Sequence, residues 1–277
     1  MSLLSVLIPA HNEAVEIAAC LQSVFASAPL PPGWQGEVLV LANGCTDATA
    51  AIARACPVPD GWQKQVLELP AGGKLKALTA GDKAARGSVL AYLDADVRVD
   101  PELLCQTAAA LAGAAPGYAS GRPRLMCAAS AFSRAYGRVW ASLPFLQTGV
   151  PGFGYFALNR AGRSRWQDWP DIIADDMFAR LNFAPSERRL LDAGYSWPLV
   201  EGLAGLVRVR RRQDAGNREL AARYPALLPN EDSRPAAGPA LRRAALRDPA
   251  GLAAYCLVKA AVRTPLYASG TCWARGR

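Results

Sequence analysis

The chain has one histidine, His11, among 277 residues. Its seven cysteines are odd in number and widely spaced, and no C-x-x-C pair occurs. That pattern argues against a zinc site or a disulfide framework and for reduced, mostly buried thiols in a cytosolic protein. No uncharged apolar window of about 18 residues is present, so no membrane-spanning helix is expected. The opening Met1-Ser2-Leu3-Leu4-Ser5 lacks a basic segment and enters a short strand-like run broken by Pro9, so no signal peptide is expected. Internal repeats are missing too. The basic residues are not interleaved with aromatics, which makes nucleic acid a poor partner.

What the chain has in quantity is apolar and basic side chains. Half of it, 51%, is hydrophobic, enough for one large α/β domain or two small ones. Thirty-one Lys and Arg against 23 Asp and Glu give a net charge of +8. The basic residues gather in the second half, notably Arg208-Val209-Arg210-Arg211-Arg212. Such charge attracts anionic partners, nucleotide diphosphates or phospholipids among them; a solubilising surface is the plainer reading.

The first hundred residues alternate in type. Apolar strand-like runs occur at Leu3–Ile8, Glu37–Leu41, Gln65–Leu69 and Val89–Leu93. Between them Glu13–Ala26, Thr46–Ala55 and Leu75–Arg86 have helical spacing. Alternation of this kind builds βαβ units and a parallel sheet with helices on both faces. Beyond residue 100 the pattern predicts helices over Ala128–Leu143, Ile172–Asn182, Leu203–Tyr224 and Leu252–Val262, a loop over Gln147–Tyr155, a strand over Phe156–Asn159 and an irregular stretch over Leu228–Ala240. The expected organisation is a catalytic domain over 1–225, divided at residue 100, with an extension over 226–277.

The sharpest motif is Leu93-Asp94-Ala95-Asp96, two carboxylates at the end of a buried strand. Ligands of open α/β sheets gather at carboxyl ends of strands. Mg²⁺ and similar hard cations are held by one or two carboxylates plus substrate phosphates. Three other loops carry polar residues that a sheet does not need: Pro9-Ala10-His11-Asn12-Glu13, Ala42-Asn43-Gly44-Cys45-Thr46-Asp47 and Gly72-Gly73-Lys74. Caps and turns explain each singly; four together make a phosphate-binding edge the better reading.

This series resembles glycosyltransferase family 2, strongly over residues 3–100. The resemblance continues through Gly149-Val150-Pro151-Gly152-Phe153-Gly154-Tyr155-Phe156-Ala157-Leu158 and reaches Asp171-Ile172-Ile173-Ala174-Asp175-Asp176-Met177-Phe178. It implies a GT-A fold, a Rossmann-like, mostly parallel sheet flanked by helices with a helical C-terminal extension. It also implies inverting transfer of a sugar from a nucleotide-diphosphate donor, assisted by Mn²⁺ or Mg²⁺. By that resemblance Asp96 is the direct metal ligand, with Asp94 beside the metal or ribose. Asp176 is the catalytic base and Asp175 its orienting neighbour. Pro9, Ala10, Asn12 and Glu13 line the nucleoside pocket, Asn43 contacts the base, Lys74 lies near base or diphosphate, and Arg211 and Arg212 either help neutralise the diphosphate or form a solvated helix face. His11 falls on the nucleoside side, away from the acceptor, which speaks against its being the base.

The Gln-x-x-Arg-Trp order of processive members is replaced by Arg210-Arg211-Arg212-Gln213-Asp214. A non-processive enzyme of cell-envelope glycan synthesis is the expectation, cytoplasmic or peripheral on the inner face of the membrane, with a glycan, lipid-linked or small-molecule acceptor. Leu252, Ala253, Cys256, Leu257, Ala260 and Ala261 form one apolar stripe flanked by Lys259 and Arg263, which suits either packing or a lipid interface. Trp166, Trp169 and Trp197 suit either a sugar face or the core. Two alternatives stand beside this one. A nucleotidyltransferase would need a Gly-rich basic loop after the first strand, which is not found. A non-catalytic nucleotide-binding protein would not need Asp94, Asp96 and Asp176.

Overall fold

The computed structural model describes residues 2–232 and 235–267. The alternation of the first hundred residues is realised as β1 (Ser2–Ala10), α1 (Ile17–Phe25), β2 (Trp34–Asn43), α2 (Thr49–Ala55), β3 (Trp62–Leu69), α3 (Lys74–Ala84) and β4 (Val89–Leu93). Then come β5 (Arg98–Val99), α4 (Leu103–Ala110), β6 (Tyr118–Leu125), α5 (Ala131–Ala141), α6 (Pro144–Gln147), β7 (Tyr155–Asn159), α7 (Arg160–Arg163), α8 (Asp175–Leu181), β8 (Arg188–Trp197), α9 (Gly202–Arg223), α10 (Gly238–Arg247) and α11 (Pro249–Val262).

The strands form one sheet in the order β3-β2-β1-β4-β7-β6-β8-β5. The expected parallel sheet is its first half, where β1 pairs in parallel with β2 and β4, and β2 with β3. Past β4 the sheet is mixed: β7 runs antiparallel to β4 and to β6, and β5 antiparallel to β8. β1, β2 and β4 are buried on both faces, as βαβ crossovers require, while β3 at the edge of the sheet alternates half-buried and exposed residues. Leu4, Val6, Leu7 and Ile8 of β1, and Val89, Leu90 and Ala91 of β4, have no solvent exposure. All four parallel strands point their carboxyl ends the same way, so the loops after them collect at one edge.

The described residues divide into two compact units. One takes its residues from Met1–Pro123, Val150–Asp171 and Asp175–Ser196; the other from Arg124–Gly149, Ile172–Ala174 and Trp197–Arg277. The division expected at 225/226 therefore falls inside the second unit. Its core explains why: Tyr136, Trp140 and Leu143 of and after α5, Leu206 and Val207 of α9, and Ala254, Val258 and Ala261 of α11 form one apolar cluster.

The apolar stripe of α11 is split by this packing. Of its members only Ala261 is buried and Leu252 half-buried, while Ala253, Cys256, Leu257 and Ala260 are exposed beside Lys259 and Arg263; the face that packs is Ala254, Val258 and Ala261. The stretch expected to be irregular before it holds the end of a 3-10 turn over Pro225–Asn230 and the start of α10. Among the described residues no helix is long and apolar enough to cross a membrane.

One buried polar cluster fixes the path of the chain towards the site. The Asp82 carboxylate on α3 accepts from Tyr92 Oη at 2.7 Å, Arg163 Nε at 2.7 Å and Trp169 Nε1 at 2.8 Å. Arg163 also donates to the carbonyls of Trp166 and Gln167 at 2.6 and 2.7 Å. All these groups are satisfied, as a buried ion pair requires if it is to be tolerated. Trp169 is thereby a core residue, and Trp166 packs edge-on to it at 5.3 Å.

Candidate active site

The loops after β1, β2 and β3 are laced together by their own polar side chains. Asn12, at φ 54°, accepts from the Thr46 N–H at 2.7 Å through Oδ1. The Glu13 N–H donates to Thr49 Oγ1 at 2.7 Å. Asn43, only 3% exposed, uses its whole carboxamide internally. Nδ2 donates to the carbonyls of Ala10 and Leu41 at 2.9 and 3.1 Å, and Oδ1 accepts from the Gly73 N–H at 3.1 Å. Asn43 is thus a rivet between loops. The expectation that it contacts the base is corrected, because its carboxamide is committed to the protein's own backbone. His11 Nδ1 lies 2.6 Å from the Asn43 carbonyl; a carbonyl only accepts, so Nδ1 carries the proton.

Gly44 shows how closely these loops approach. It sits at φ +57°, and a Cβ there would stand 2.6 Å from the Gly72 nitrogen. Pro9 and Ala10 close β1 just before this junction, Pro9 half-buried and Ala10 buried.

Two half-buried carboxylates, Asp94 and Asp96, follow β4. The turn is set by the Val97 N–H donating to the Asp94 carbonyl at 3.1 Å and by the Asp94 N–H donating to Gly154 O at 3.0 Å. Beneath them the Cys20 thiol reaches the Asp94 carbonyl at 3.7 Å, and burial pushes that thiol far above its ordinary range. It is a core thiol rather than a nucleophile.

Lys74, the first residue of α3, joins this pair to the acids of α8. Its Nζ lies 3.0 Å from Asp94 Oδ1 and 2.9 Å from Asp175 Oδ2. The second contact is ionic, since the buried Oδ2 receives no hydrogen bond of good geometry. Burial works against the charged ammonium, but Asp175 and then Asp94 outweigh it and hold Lys74 above its ordinary pKa. Asp176 is next to this bridge and not in it. Burial first, and the Asp175 carboxylate second, push its carboxyl from 3.8 to about 6, against the pull of Lys74. Its Oδ1 accepts from the Met177 N–H at 2.8 Å. Adjacent helical residues point about 100° apart, which separates the two roles.

The glycine loop before β7 packs on the start of α8. A Cβ on Gly152 would meet the Tyr118 hydroxyl at 2.9 Å and the Asp176 carbonyl at 3.0 Å. Tyr118 Oη donates to Pro151 O at 2.9 Å and Tyr195 Oη to Phe153 O at 2.6 Å. Sequence reasoning missed these two tyrosines. They come from β6 and β8, whose patterns do not read as strands, and only the glycines hinted at so close an approach.

The structure therefore brings Lys74, Asp94, Asp175 and Asp176 together, with Asp96 in the turn that follows the strand. Arg211 is spent elsewhere. Its guanidinium donates to the carbonyls of Ala261 at 2.8 Å, Val262 at 3.1 Å, Leu266 at 2.6 Å and Thr264. It caps the carboxyl end of α11, where a cation suits the helix dipole, and this corrects its expected place on the diphosphate. Among the described residues no cluster of three His, Cys, Asp or Glu forms a complete metal cage. Two carboxylates suit a hard cation that takes the rest of its oxygens from phosphate and water.

Known proteins resemble this chain in sequence and in fold. The family profile described as glycosyl transferase family 2 matches residues 5–148. Glycosyltransferase AglE of Haloferax volcanii is 36% identical over 92 residues, which cover 33% of this chain and 30% of that protein. The chain thus matches under a third of that relative's length. Among solved structures, mannosyltransferase PcManGT from Pyrobaculum calidifontis, in complex with GDP-Man and Mn²⁺, superposes with a TM-score of 0.58. Its identity is 20%, and the match covers 97% of this chain and 76% of that one. TarS 1-349 of S. aureus in complex with UDP-GlcNAc gives 0.50 at 16% identity, covering 76% and 65%. At these identities the two likenesses are of fold.

Proposed function

The chain belongs to glycosyl transferase family 2, and from that premise we propose that it moves a sugar, with inversion, from a nucleotide-diphosphate donor to an acceptor hydroxyl. The observation that carries the reading is the Lys74 bridge between Asp94 and Asp175, which sets a donor-side carboxylate and the acids of α8 around one point. The acceptor oxygen attacks the anomeric carbon while the bond from that carbon to the diphosphate oxygen breaks and its electron pair leaves with the diphosphate. The acceptor proton passes to Asp176. A carboxylate raised to about 6 is ionised at neutral pH yet more basic than an ordinary aspartate, as a general base should be.

Asp96 and Asp94 would hold Mn²⁺ or Mg²⁺, which when bound offsets the charge that develops on the diphosphate. The Mn²⁺ in the complex of the mannosyltransferase supports this. The loops at Pro9, Ala10, Asn12 and Glu13 flank the nucleoside, and Lys74 orients Asp175. Arg212 remains a candidate for the diphosphate. The non-processive and cytoplasmic readings rest on the sequence alone. Cys256 and Leu257 are exposed on α11, with Lys259 and Arg263 exposed beside them. This pairing of apolar and basic surface supports approach to an anionic lipid surface and hence a lipid-linked acceptor.

The test is turnover of a panel of nucleotide-sugars, read as release of nucleoside diphosphate, with native protein and Asp176→Asn. Release by the native chain and its loss in the variant is the expected result. Equal release by both overturns the assignment of the base.

A further inference from the structure

A second site lies in the helical unit. A cleft of about 580 Å³ opens between α5 and α10, walled by Arg138, Val139, Ala244, Arg243 and Arg247, with Asp248 at its end. That volume falls in the range of small-molecule sites. Arg138 is already paired: its Nε and Nη2 donate to the two oxygens of Asp248 at 2.8 and 3.0 Å. Asp248 also accepts from the Gly251 N–H at 2.9 Å, capping α11. Ser142 at the same wall gives its hydroxyl proton to the Val139 carbonyl. The one acid of the cleft is therefore committed, while Arg243 and Arg247 have no side-chain ion pair or hydrogen bond among the described residues. They stand four apart on one helix, an arrangement of like charges that destabilises a helix unless an anion joins them. Ala240 and Ala244 line the same wall, and Leu246 next to Arg247 is 86% exposed.

We propose that this cleft binds a phosphate or diphosphate group, held by the guanidinium forks of Arg243 and Arg247. Two arginines with planar donor pairs match phosphate oxygens in a way that lysines do not. The apolar wall behind them has room for the carbon skeleton that bears the phosphate. Two sources carry this chemistry, the headgroup of a lipid and a soluble phosphate ester. The site is built from residues outside the donor loops and does not rest on the transfer reaction.

Inorganic pyrophosphate is the probe, titrated calorimetrically in EDTA. The native chain is expected to bind it. Arg243→Gln/Arg247→Gln should bind at least tenfold more weakly, and Arg243→Lys/Arg247→Lys should lose part of the affinity despite keeping the charge. Arg242→Gln/Arg263→Gln removes the same charge from exposed positions outside the cleft and should stay within twofold of native. The four arginines are exposed, and unchanged helical circular dichroism confirms the fold of each variant. Vesicles of phosphatidylcholine with and without phosphatidylglycerol separate the sources. Sedimentation with the anionic vesicles that pyrophosphate reverses identifies a headgroup; pyrophosphate binding without such sedimentation identifies a soluble ester. No pyrophosphate binding by the native chain, or equal losses in the two glutamine pairs, overturns the proposal.

Discussion

The ammonium of Lys74 lies 2.9 Å from Oδ2 of Asp175, so the first residue of α3 supplies the countercharge for the first residue of α8. The same ammonium holds Asp94. Lys74→Met should leave Asp175, which is buried, without its cation, at a cost of about 1–3 kcal/mol. Chemical denaturation would measure it. Adding Asp175→Asn should recover part of the loss, because an amide needs no countercharge. If the double variant is as unstable as the sum of the single ones, the bridge contributes nothing.

Asp176→Asn should retain donor binding and lower the transfer rate by roughly 10²–10⁴-fold, the usual worth of general-base assistance. Calorimetry of nucleoside diphosphate alongside initial rates separates the two effects. Near-normal turnover would move the base to Asp175.

The raised carboxyl of Asp176 gives two pH dependences of opposite sense. The rate should fall as pH drops through about 6, where the base becomes protonated. Stability moves the other way. A group whose folded pKa lies above its unfolded value of about 3.8 favours the fold while protonated, and that contribution disappears as pH rises through about 6. Asp176→Asn should therefore be the more stable protein at pH 7.5 and show no advantage at pH 4. Thermal unfolding at the two pH values checks this.

Nucleoside diphosphate should bind more tightly with Mn²⁺ than in EDTA, because the phosphates and Asp94 and Asp96 complete an oxygen shell. Asp96→Ala should abolish the difference and leave the melting temperature of the free protein unchanged. Identical affinity with and without Mn²⁺ in the native chain would rule out the metal role.

Asp82→Asn should destabilise the protein by about 3 kcal/mol, since it leaves Arg163 buried without its charge partner. The same cluster holds the chain at Trp166, Gln167 and Trp169 on the way to α8. Turnover should fall with stability, and a variant of native stability would show that the cluster carries little energy.

The donor half was legible because β1, β2 and β4 are buried on both faces and read as unbroken apolar runs that end in polar loops. Asp94 and Asp96 stood out for the same reason, as acids at the end of an apolar strand, whereas Asp175 and Asp176 were marked only by the resemblance to the family. Other parts had no such signal. β6 contains Gly121 and Pro123, and β8 begins with Arg188-Arg189, of which Arg188 is buried against the carbonyls of Arg180 and Phe183. α10 was hidden in a stretch rich in Pro and Ala. The Lys74 bridge joins residues far apart in sequence, and no local spacing announces it. Asn43 was legible as a site residue but not as an inward-facing one, since direction depends on the carbonyls that the fold brings to it.

That inward direction gives Asn43 an unusual place in sequence drift. Asparagine and aspartate are near-synonyms in most substitution tables, differing by one nitrogen exchanged for oxygen. At this position the exchange would aim a carboxylate oxygen at the carbonyls of Ala10 and Leu41, which now accept from Nδ2, and acceptors do not pair with acceptors. Changing this residue to aspartate therefore requires the junction of the first two loops to rearrange at the same time.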